Sequence, residues 1–409
     1  MIQTSRRYLI VCFLMYLVQL GFQNYRYMNR EVIMMNYEIR HFDTPVLRFS
    51  ASDGADLNLS VIWVTDNKSL LPLDLNGVSA VDVEAWLSQR TIPRNRAYVH
   101  ALVASIGLNL NRKMSIIAIS KGLSLNDSYW VVEEGFIGSF EKYNLYDHKF
   151  SNILGLIAFT GYGSMNVSGV ASSPEFTTNG MLPKCWRRKN GIKLYKGGTQ
   201  GASNTGNEPY SEYYASQIAK ILGFNTIDYT LSKWKSQLCS VCDLFTSKEL
   251  AFIPVGRLVK SGGLKAVRKF YESLGTEFVK ALDEMIIFDA IIYNTDRHFG
   301  NFGVLVNSRT NEIVKPAPLF DHGNSLFALA GQAALEHEEG MEYYAKTQLP
   351  RVYDDFVLEA KPLLTHEHRN KLHQLLDFRL KRHARYNLNK ERLKLIEKQI
   401  SKRVRELLE

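Results

Sequence analysis

The chain has 409 residues, of which 45% are hydrophobic and 22% are charged, so two or three packed units are expected and a disordered chain is excluded. The formal charge of +9 points toward nucleic acid, but the segment 377–409 holds 11 Lys/Arg against 5 Asp/Glu, so most of the excess is local. Four cysteines, two of them in the pair Cys239 and Cys242, are too few for a disulfide framework or a closed zinc site. A reducing, cytoplasmic location fits this usage.

An apolar leader comes first in the chain. Residues 8–22 form an apolar run that is interrupted by Gln19 and is shorter than the roughly 20 residues that span a bilayer. No small-residue cleavage site follows it. We interpret residues 1–34 as a leader, with Met34 or Met35 as the true start. A membrane anchor through residues 8–22 is the alternative.

Residues 35–150 predict an amino-terminal α/β unit. Short β-rich runs such as VLRFS and LSVIWVT are mixed with helical patterns such as VDVEAWLSQR, and turn signals separate them. This part contains no repeat and no catalytic cluster, so the sequence assigns it no role. A stretch rich in Ser, Thr, Gly and Asn follows at 161–180, and we place the unit's boundary near residue 150.

Residues 151–245 predict a small β-rich lobe with one helix. Apolar runs at 192–195, 226–231 and 241–245 are typical of strands, and the helical pattern 211–222 ends at a glycine. Strands with a single helix indicate a small α+β lobe.

Residues 246–409 predict a larger, mainly α lobe. It begins with an apolar run at 251–259, turns helical after Gly262, and is interrupted by a polar loop and a hairpin. The segment 377–409 has apolar residues at helical spacing and predicts a basic amphipathic helix. We interpret its charges as a solvated face, with contact to nucleic acid or a partner as the alternative.

The densest group of polar residues is NTDRHFGNFG at 294–303, directly after the apolar pattern EMIIFDAIIY. Asp296 and Asn301 stand five positions apart, the spacing of a phosphoryl-transfer loop with one carboxylate for the acceptor hydroxyl and one amide for Mg²⁺. About 20 residues later PLFDHGNSLF supplies a D-x-G motif in which Asp321 offers a second metal-binding carboxylate. Each residue alone also fits a turn or a cap. Their order and spacing together indicate phosphoryl transfer.

A lysine for nucleotide phosphates is expected upstream, in GIKLYKGG at 191–198. Lys193 and Lys196 face opposite sides of a regular strand, so only one of them can point into a cleft. We favour Lys196, because the glycines after it release the chain at the end of the strand. The following helix carries Glu212, which can form the ion pair that positions such a lysine.

Three segments in order, NEPYSEYYASQIAKILGF, NTDRHFGNFG and PLFDHGNSL, resemble the HipA-like serine/threonine kinases, a bacterial branch of the kinase-like fold that includes toxins of toxin–antitoxin pairs. The resemblance covers roughly 172–376. It implies an α+β, bilobal protein-kinase-like fold and transfer of the γ-phosphoryl of ATP, with Mg²⁺, to a Ser or Thr hydroxyl of a protein substrate.

By this resemblance Asp296 is the catalytic base, and Asn301 and Asp321 are the magnesium ligands. The segment 242–245 corresponds to the hinge that recognises adenine. The residues to which the resemblance assigns ATP contacts are Lys196, Lys193, Glu212, Asp243, Phe245 and His298.

The segment 178–184 resembles the family's loop over the phosphates, where members are self-phosphorylated on serine. The nearest hydroxyls are those of Ser172, Ser173, Thr177 and Thr178. No helix-turn-helix antitoxin is fused to the chain, so an antitoxin would be a separate protein. Nucleic acid contact is expected only through the basic C-terminal helix or a partner.

The first 150 residues do not match the family's usual amino-terminal subdomain, so a toxin role has less support than kinase chemistry. A small-molecule or lipid kinase, a nucleotide-binding pseudokinase switch and a nucleic-acid-binding protein remain as alternatives.

Overall fold

The structure is a computed structural model that describes residues 34–54, 57–163, 173–201 and 204–409. The leader predicted at 1–34 and the anchor predicted at 8–22 lie outside these residues, apart from Met34. Across the described ranges, no helix combines the length and the apolar character that a membrane span requires.

The amino-terminal unit is built on a four-stranded antiparallel sheet in the order β3-β2-β1-β4. Buried apolar residues of this sheet pack against Trp86, Leu87, Met114 and Ile117 of two helices to form one core of the unit. Its strands are β1 Met35–His41, β2 Thr44–Ala51, β3 Leu59–Val64 and β4 Tyr129–Glu133, and its helices are α1 Ala80–Ser88, α2 Val99–Ser105, α3 Lys113–Ser120 and α4 Phe140–Tyr143. Helix α1 begins at a capping box in which Ser79 and Asp82 satisfy each other's backbone N–H groups.

The small lobe is a second antiparallel sheet in the order β5-β6-β8-β7, with one long helix beside it. A short helix, α5 Asn152–Thr160, packs against β5. The remaining elements are β5 Lys184–Arg188, β6 Ile192–Gly197, α6 Glu208–Leu222, β7 Tyr229–Trp234 and β8 Gln237–Asp243. Helix α6 ends where Gly223 adopts a left-handed conformation, as the sequence predicted.

The large lobe is mainly helical and holds the largest core. Helix α9 lies at its centre, because nearly every side chain from Met285 to Ile292 is fully buried. A three-stranded sheet in the order β11-β10-β9 borders it. The elements are β9 Leu250–Pro254, α7 Val255–Leu258, α8 Gly263–Leu274, α9 Thr276–Ile292, β10 Gly303–Asn307, β11 Ile313–Pro316, α10 Gln332–Leu335, α11 Glu338–Lys346, α12 Phe356–Ala360, α13 His366–His373 and α14 Lys390–Leu408.

Two predicted strands are placed differently. The strand predicted at 226–231 begins only at Tyr229, because Thr226 instead pairs in a parallel bridge with Leu319. The strand predicted at 251–259 ends at Pro254, where the chain turns into α7 and the Val255 N–H donates to the Phe302 carbonyl at 2.9 Å. Both differences come from backbone hydrogen bonds between residues far apart in the chain, and the local sequence does not predict such bonds.

The predicted basic C-terminal helix begins at Lys390, thirteen residues later than Asp377, after an irregular segment. Its apolar stripe packs into the large-lobe core, with Ile396 and Ile400 fully buried. Its lysines are not simply solvated, because Lys398 and Lys402 form ion pairs with Glu338 and Glu342 of α11. Packing of α14 against other helices therefore accounts for much of the apolar and basic pattern at 390–408.

The amino-terminal unit is docked onto the small sheet of the large lobe. Nε2 of His41 lies 2.6 Å from the carbonyl of Ser308, and Asn311 donates its side-chain amide to the carbonyl of Leu71 at 3.0 Å. The Phe252 N–H of β9 donates to the carbonyl of Asn126 at 2.8 Å. We propose the predicted division into segments 35–150, 151–245 and 246–409 for these units.

Candidate active site

A buried arginine organises the loop that follows α9. The Arg297 guanidinium donates to both carboxylate oxygens of Asp289 at 2.9 Å, and both side chains are almost completely shielded from solvent. The same guanidinium donates to the backbone carbonyls of Asn301 at 3.0 Å and Phe320 at 2.7 Å. The predicted phosphoryl-transfer loop and the D-x-G segment are therefore held by one side chain.

Asp296 lies on this loop with its carboxylate partly open to solvent. The Asp296 N–H donates to the side-chain oxygen of Asn294 at 3.2 Å, which fixes the turn. Its Oδ2 accepts from the Asn324 amide at 3.3 Å, and its Oδ1 accepts from Arg351. The carboxylate predicted as catalytic base is thus positioned by side chains from two other segments.

Lys196 is the lysine that points into the cleft. It lies on β6, is 7% exposed, and its Nζ contacts Oε1 of Glu212 at 2.7 Å and Oδ1 of Asp321. Burial opposes the charge on Lys196, but the two carboxylates outweigh burial and raise its pKa. The other oxygen of Glu212 accepts the His322 N–H at 2.8 Å. Glu212 therefore links the strand lysine to the backbone of the D-x-G motif.

Asp321 is charged in this arrangement. Burial alone would raise the pKa of its carboxyl, but Lys196 and then Lys184 hold that pKa below its ordinary value. Asp321 adopts a positive φ of 59°, an uncommon conformation for a non-glycine residue. The neighbouring Gly323 lies close to Glu208 and Lys196, since an added Cβ would stand 3.3 Å from the Glu208 side chain.

Asn301 and Asp321 offer oxygen ligands of the type that Mg²⁺ prefers. The Asn301 amide nitrogen donates to the Asp296 carbonyl at 3.3 Å, which turns the amide oxygen away from that carbonyl. Within the described ranges, no three His, Cys, Asp or Glu side chains converge as a metal site. A carboxylate and an amide fit a magnesium ion whose remaining ligands are substrate phosphates and water.

The other residues predicted to contact ATP lie in different surroundings. Lys193 faces away from Lys196 and forms an ion pair with Asp243, whose side chain is 68% exposed. Phe245 packs against Phe320, just before the D-x-G motif, with ring centroids 5.4 Å apart. His298 is half-buried, and burial lowers its pKa.

A cavity of about 350 Å³ lies beside the predicted hinge and is lined in part by Ile192, Asp243, Leu244 and Thr246.

The structure brings Lys196, Glu212 and Asp321 together and joins Asn301 to the D-x-G segment through Arg297. Lys193 points away from this group.

The hydroxyls named for self-phosphorylation are turned inward where they are described. Thr177 donates to the carbonyl of Leu123 at 2.8 Å, and Thr178 donates to the carbonyl of Pro174 at 2.6 Å. The Ser173 side chain is fully buried. Ser172 lies outside the described residues. Arg96 of the amino-terminal unit anchors this segment through a buried ion pair with Glu175 at 2.7 Å.

Sequence reasoning did not assign Lys184, Arg297, Asn324 or Arg351. Lys184 lies directly opposite Lys196 in the β5–β6 pairing and donates to the Asn179 carbonyl at 2.9 Å. Burial, and then the neighbouring charge of Lys196, lower its pKa to about 7. Lys184 could have been identified only from the register of strands β5 and β6, and that register is known only once the pairing of the strands is known.

The two lobes, the lysine between two carboxylates and the loop held by Arg297 define a bilobal, kinase-like fold. The chain is similar in fold to HipA of Shewanella oneidensis MR-1, solved in complex with HipB and operator DNA, with a TM-score of 0.53 and 13% identity over 90% of this chain and 96% of that chain. A crystal structure of the Helicobacter pylori proinflammatory kinase CtkA gives a TM-score of 0.45 and 18% identity over 55% of this chain and 92% of that chain.

In sequence the chain is similar to the serine/threonine-protein kinase CtkA of Helicobacter pylori strain J99, with 26% identity over 136 residues, 30% of this chain. It spans 41% of the length of that curated relative. No protein-family model matches the chain. The predicted HipA-type, bilobal kinase-like fold is confirmed, whereas the assigned roles of the site residues stay predictions.

Lys184→Met tests the buried lysine through stability. Because the pKa of Lys184 is about 7 when folded and about 10.4 in an unfolded chain, the folded state binds fewer protons between these values. Stability should therefore rise with pH by up to about 1.4 kcal/mol per unit from this group, and the variant should lack that rise. Urea unfolding between pH 7 and 8.5 measures it.

The control for this experiment is Lys398→Met, whose side chain is 57% exposed and paired with Glu338. It should keep the pH slope of the unsubstituted chain. If stability changed with pH by the same slope in the unsubstituted chain and in Lys184→Met, the lowered pKa assigned to Lys184 would be wrong.

Proposed function

We propose that the chain is a HipA-like, ATP-dependent serine/threonine protein kinase that transfers the γ-phosphoryl of ATP to a Ser or Thr hydroxyl. The observation that carries the proposal is the buried ion pair of Lys196 with Glu212 and Asp321. A strand lysine held by a helix glutamate beside a D-x-G aspartate is how kinases position nucleotide phosphates. Asp296 on the neighbouring loop supplies a carboxylate for the acceptor.

In this mechanism Asp296 accepts a hydrogen bond from the acceptor hydroxyl and takes its proton as the oxygen bonds to the γ-phosphorus and ADP leaves. Lys196 fixes the phosphates, and Glu212 keeps the lysine in place. Asn301 and Asp321 would hold magnesium, which neutralises phosphate charge when bound with ATP. Arg297 keeps the backbones of both ligand segments aligned, so most of the rate enhancement comes from positioning.

We extend the proposal to self-phosphorylation near Thr177 and Thr178. Both hydroxyls donate hydrogen bonds to backbone carbonyls. The segment 173–184 must therefore leave its packed position before either hydroxyl can accept phosphate. Release of the buried Arg96–Glu175 ion pair would accompany that movement.

Asp296→Asn should lower phosphate transfer by about 10²- to 10⁴-fold, the usual contribution of a positioned general base. ATP binding should persist, since the hydrogen-bond partners of the Asp296 carboxylate are Asn324 and Arg351 and not the Lys196–Glu212–Asp321 group. Transfer from γ-labelled ATP to the chain itself and to Ser/Thr peptides measures the first effect, and fluorescent-nucleotide titration measures the second.

A matched control for this experiment is Asp228→Asn, an exposed residue whose carboxylate pairs with Lys220. It should behave as the unsubstituted chain does. Full activity of Asp296→Asn would remove Asp296 from the mechanism.

Lys196→Met and Lys193→Met separate the two candidate phosphate lysines. Lys196→Met should reduce transfer by about 10²-fold or more, because it removes a charge from the site of phosphate binding. Lys193→Met loses a partly exposed ion pair with Asp243 and should change transfer by less than about threefold. Thermal unfolding of both variants checks that the loss in Lys196→Met is not a loss of folded protein. The reverse order of effects would favour Lys193.

We also propose that a separate antitoxin protein binds the chain. Support comes from the Shewanella neighbour, whose structure contains HipB and operator DNA beside HipA. Purification of the tagged chain from its native cells should bring down a small DNA-binding protein, identified by mass spectrometry. Recovery of the chain alone under these conditions would count against a stable antitoxin complex.

A further inference from the structure

Arg351 lies against the carboxylate of Asp296. Its Nη1 donates to Oδ1, while the Asn324 amide lies 3.3 Å from Oδ2. The Arg351 side chain is 54% exposed and that of Asp296 is 28% exposed. The guanidinium is therefore the more exposed partner, and it occupies one oxygen of a carboxylate that an acceptor hydroxyl has to reach from solvent.

The segment that carries Arg351 is anchored immediately after the arginine. Tyr353 packs on Phe356 with ring centroids 6.2 Å apart. Asp355 caps helix α12 by accepting the N–H groups of Val357 and Leu358 at 2.8 and 2.9 Å. Arg351 thus projects from a fixed base toward Asp296 and can change partner by moving its side chain alone.

We propose that Arg351 makes this site prefer acceptors that carry a carboxylate beside the Ser or Thr hydroxyl. The inference rests on the proposed kinase function and deepens it by naming a substrate class. A hydroxyl that reaches Asp296 displaces Arg351 from its ion pair. An acidic residue on the acceptor gives the arginine a new partner, whereas a neutral acceptor leaves it unpaired and a basic one repels it.

Arg351 takes no part in the bond changes. The acceptor oxygen bonds to the γ-phosphorus, the bond from that phosphorus to the bridging oxygen of ADP breaks, and the hydroxyl proton passes to Asp296. Arg351 influences which acceptor binds beside Asp296, so the effect of substituting it should depend on the charge of the peptide. A merely structural role would lower transfer to all peptides equally.

The experiment uses the full chain and Ser/Thr peptides that differ only by Asp, Asn or Lys at each position flanking the hydroxyl. The unsubstituted chain should use the best Asp peptide about fivefold more efficiently in kcat/KM than its Asn counterpart, the scale of one exposed ion pair. Arg351→Gln should remove that difference, Arg351→Glu should favour the Lys peptide, and Arg351→Lys should keep the acidic preference.

Arg405→Gln is the matched control, since Arg405 is an exposed residue of α14. It should retain the acidic preference in full. Equal use of Asp and Asn peptides by the unsubstituted chain, or an acidic preference that survives in Arg351→Gln, would overturn the inference and leave the kinase function standing. Transfer to no peptide and no self-phosphorylation, despite measurable ATP binding, would overturn the proposed function and this inference with it.

Discussion

The candidate site depends on the buried ion pair between Arg297 and Asp289. An arginine taken out of water is stabilised only when its donors find partners, and here they reach Asp289, two backbone carbonyls and Nδ1 of His322. Burial, and then the charge of Arg297, hold the pKa of His322 far below its usual range, so the ring is neutral and its Nδ1 can accept. Loss of one partner from such a pair typically costs about 3–5 kcal/mol. The loop geometry is therefore tied to the stability of the large lobe.

Glu212 provides the corresponding link between the lobes. It lies on α6, whose residues Tyr214 and Ile218 belong to the large-lobe core although the helix follows the small-lobe strand β6 in the chain. One carboxylate oxygen contacts Lys196 and the other accepts the His322 N–H. The lysine is consequently placed by the same helix that joins the two cores. Movement of α6 would alter the distance between Lys196 and Asp321, which is how kinase-like folds couple packing to activity.

Sequence reasoning reached the parts of this site that local patterns encode. Strand alternation showed that only one of Lys193 and Lys196 could face the cleft, and the glycines after Lys196 favoured that lysine. The D-x-G motif was recognised by its spacing from Asp296. Lys184 and Arg351 were not reached, because their proximity to the site depends on strand register and on a segment 55 positions from Asp296. The late start of β7 and the early end of β9 have the same origin in long-range pairing. Spacing along the chain predicted which residues could carry out phosphoryl transfer. The residues that contact them from distant parts of the chain are visible only in the structure.

The amino-terminal unit has a closer relation to the site than its separate composition suggested. Arg96 donates to the carboxylate and carbonyl of Glu175 and to the carbonyl of Lys184 at 3.0 Å, all within a fully buried contact. Lys184 is the strand partner of Lys196, so a side chain of the amino-terminal unit holds the backbone beside the candidate site. Since an unpaired charge there would be costly, removal of the unit would destabilise the segment 173–184 and with it the surroundings of Lys196. The unit therefore supports the candidate active site through Arg96, and a fragment that begins near residue 150 would lack these buried contacts.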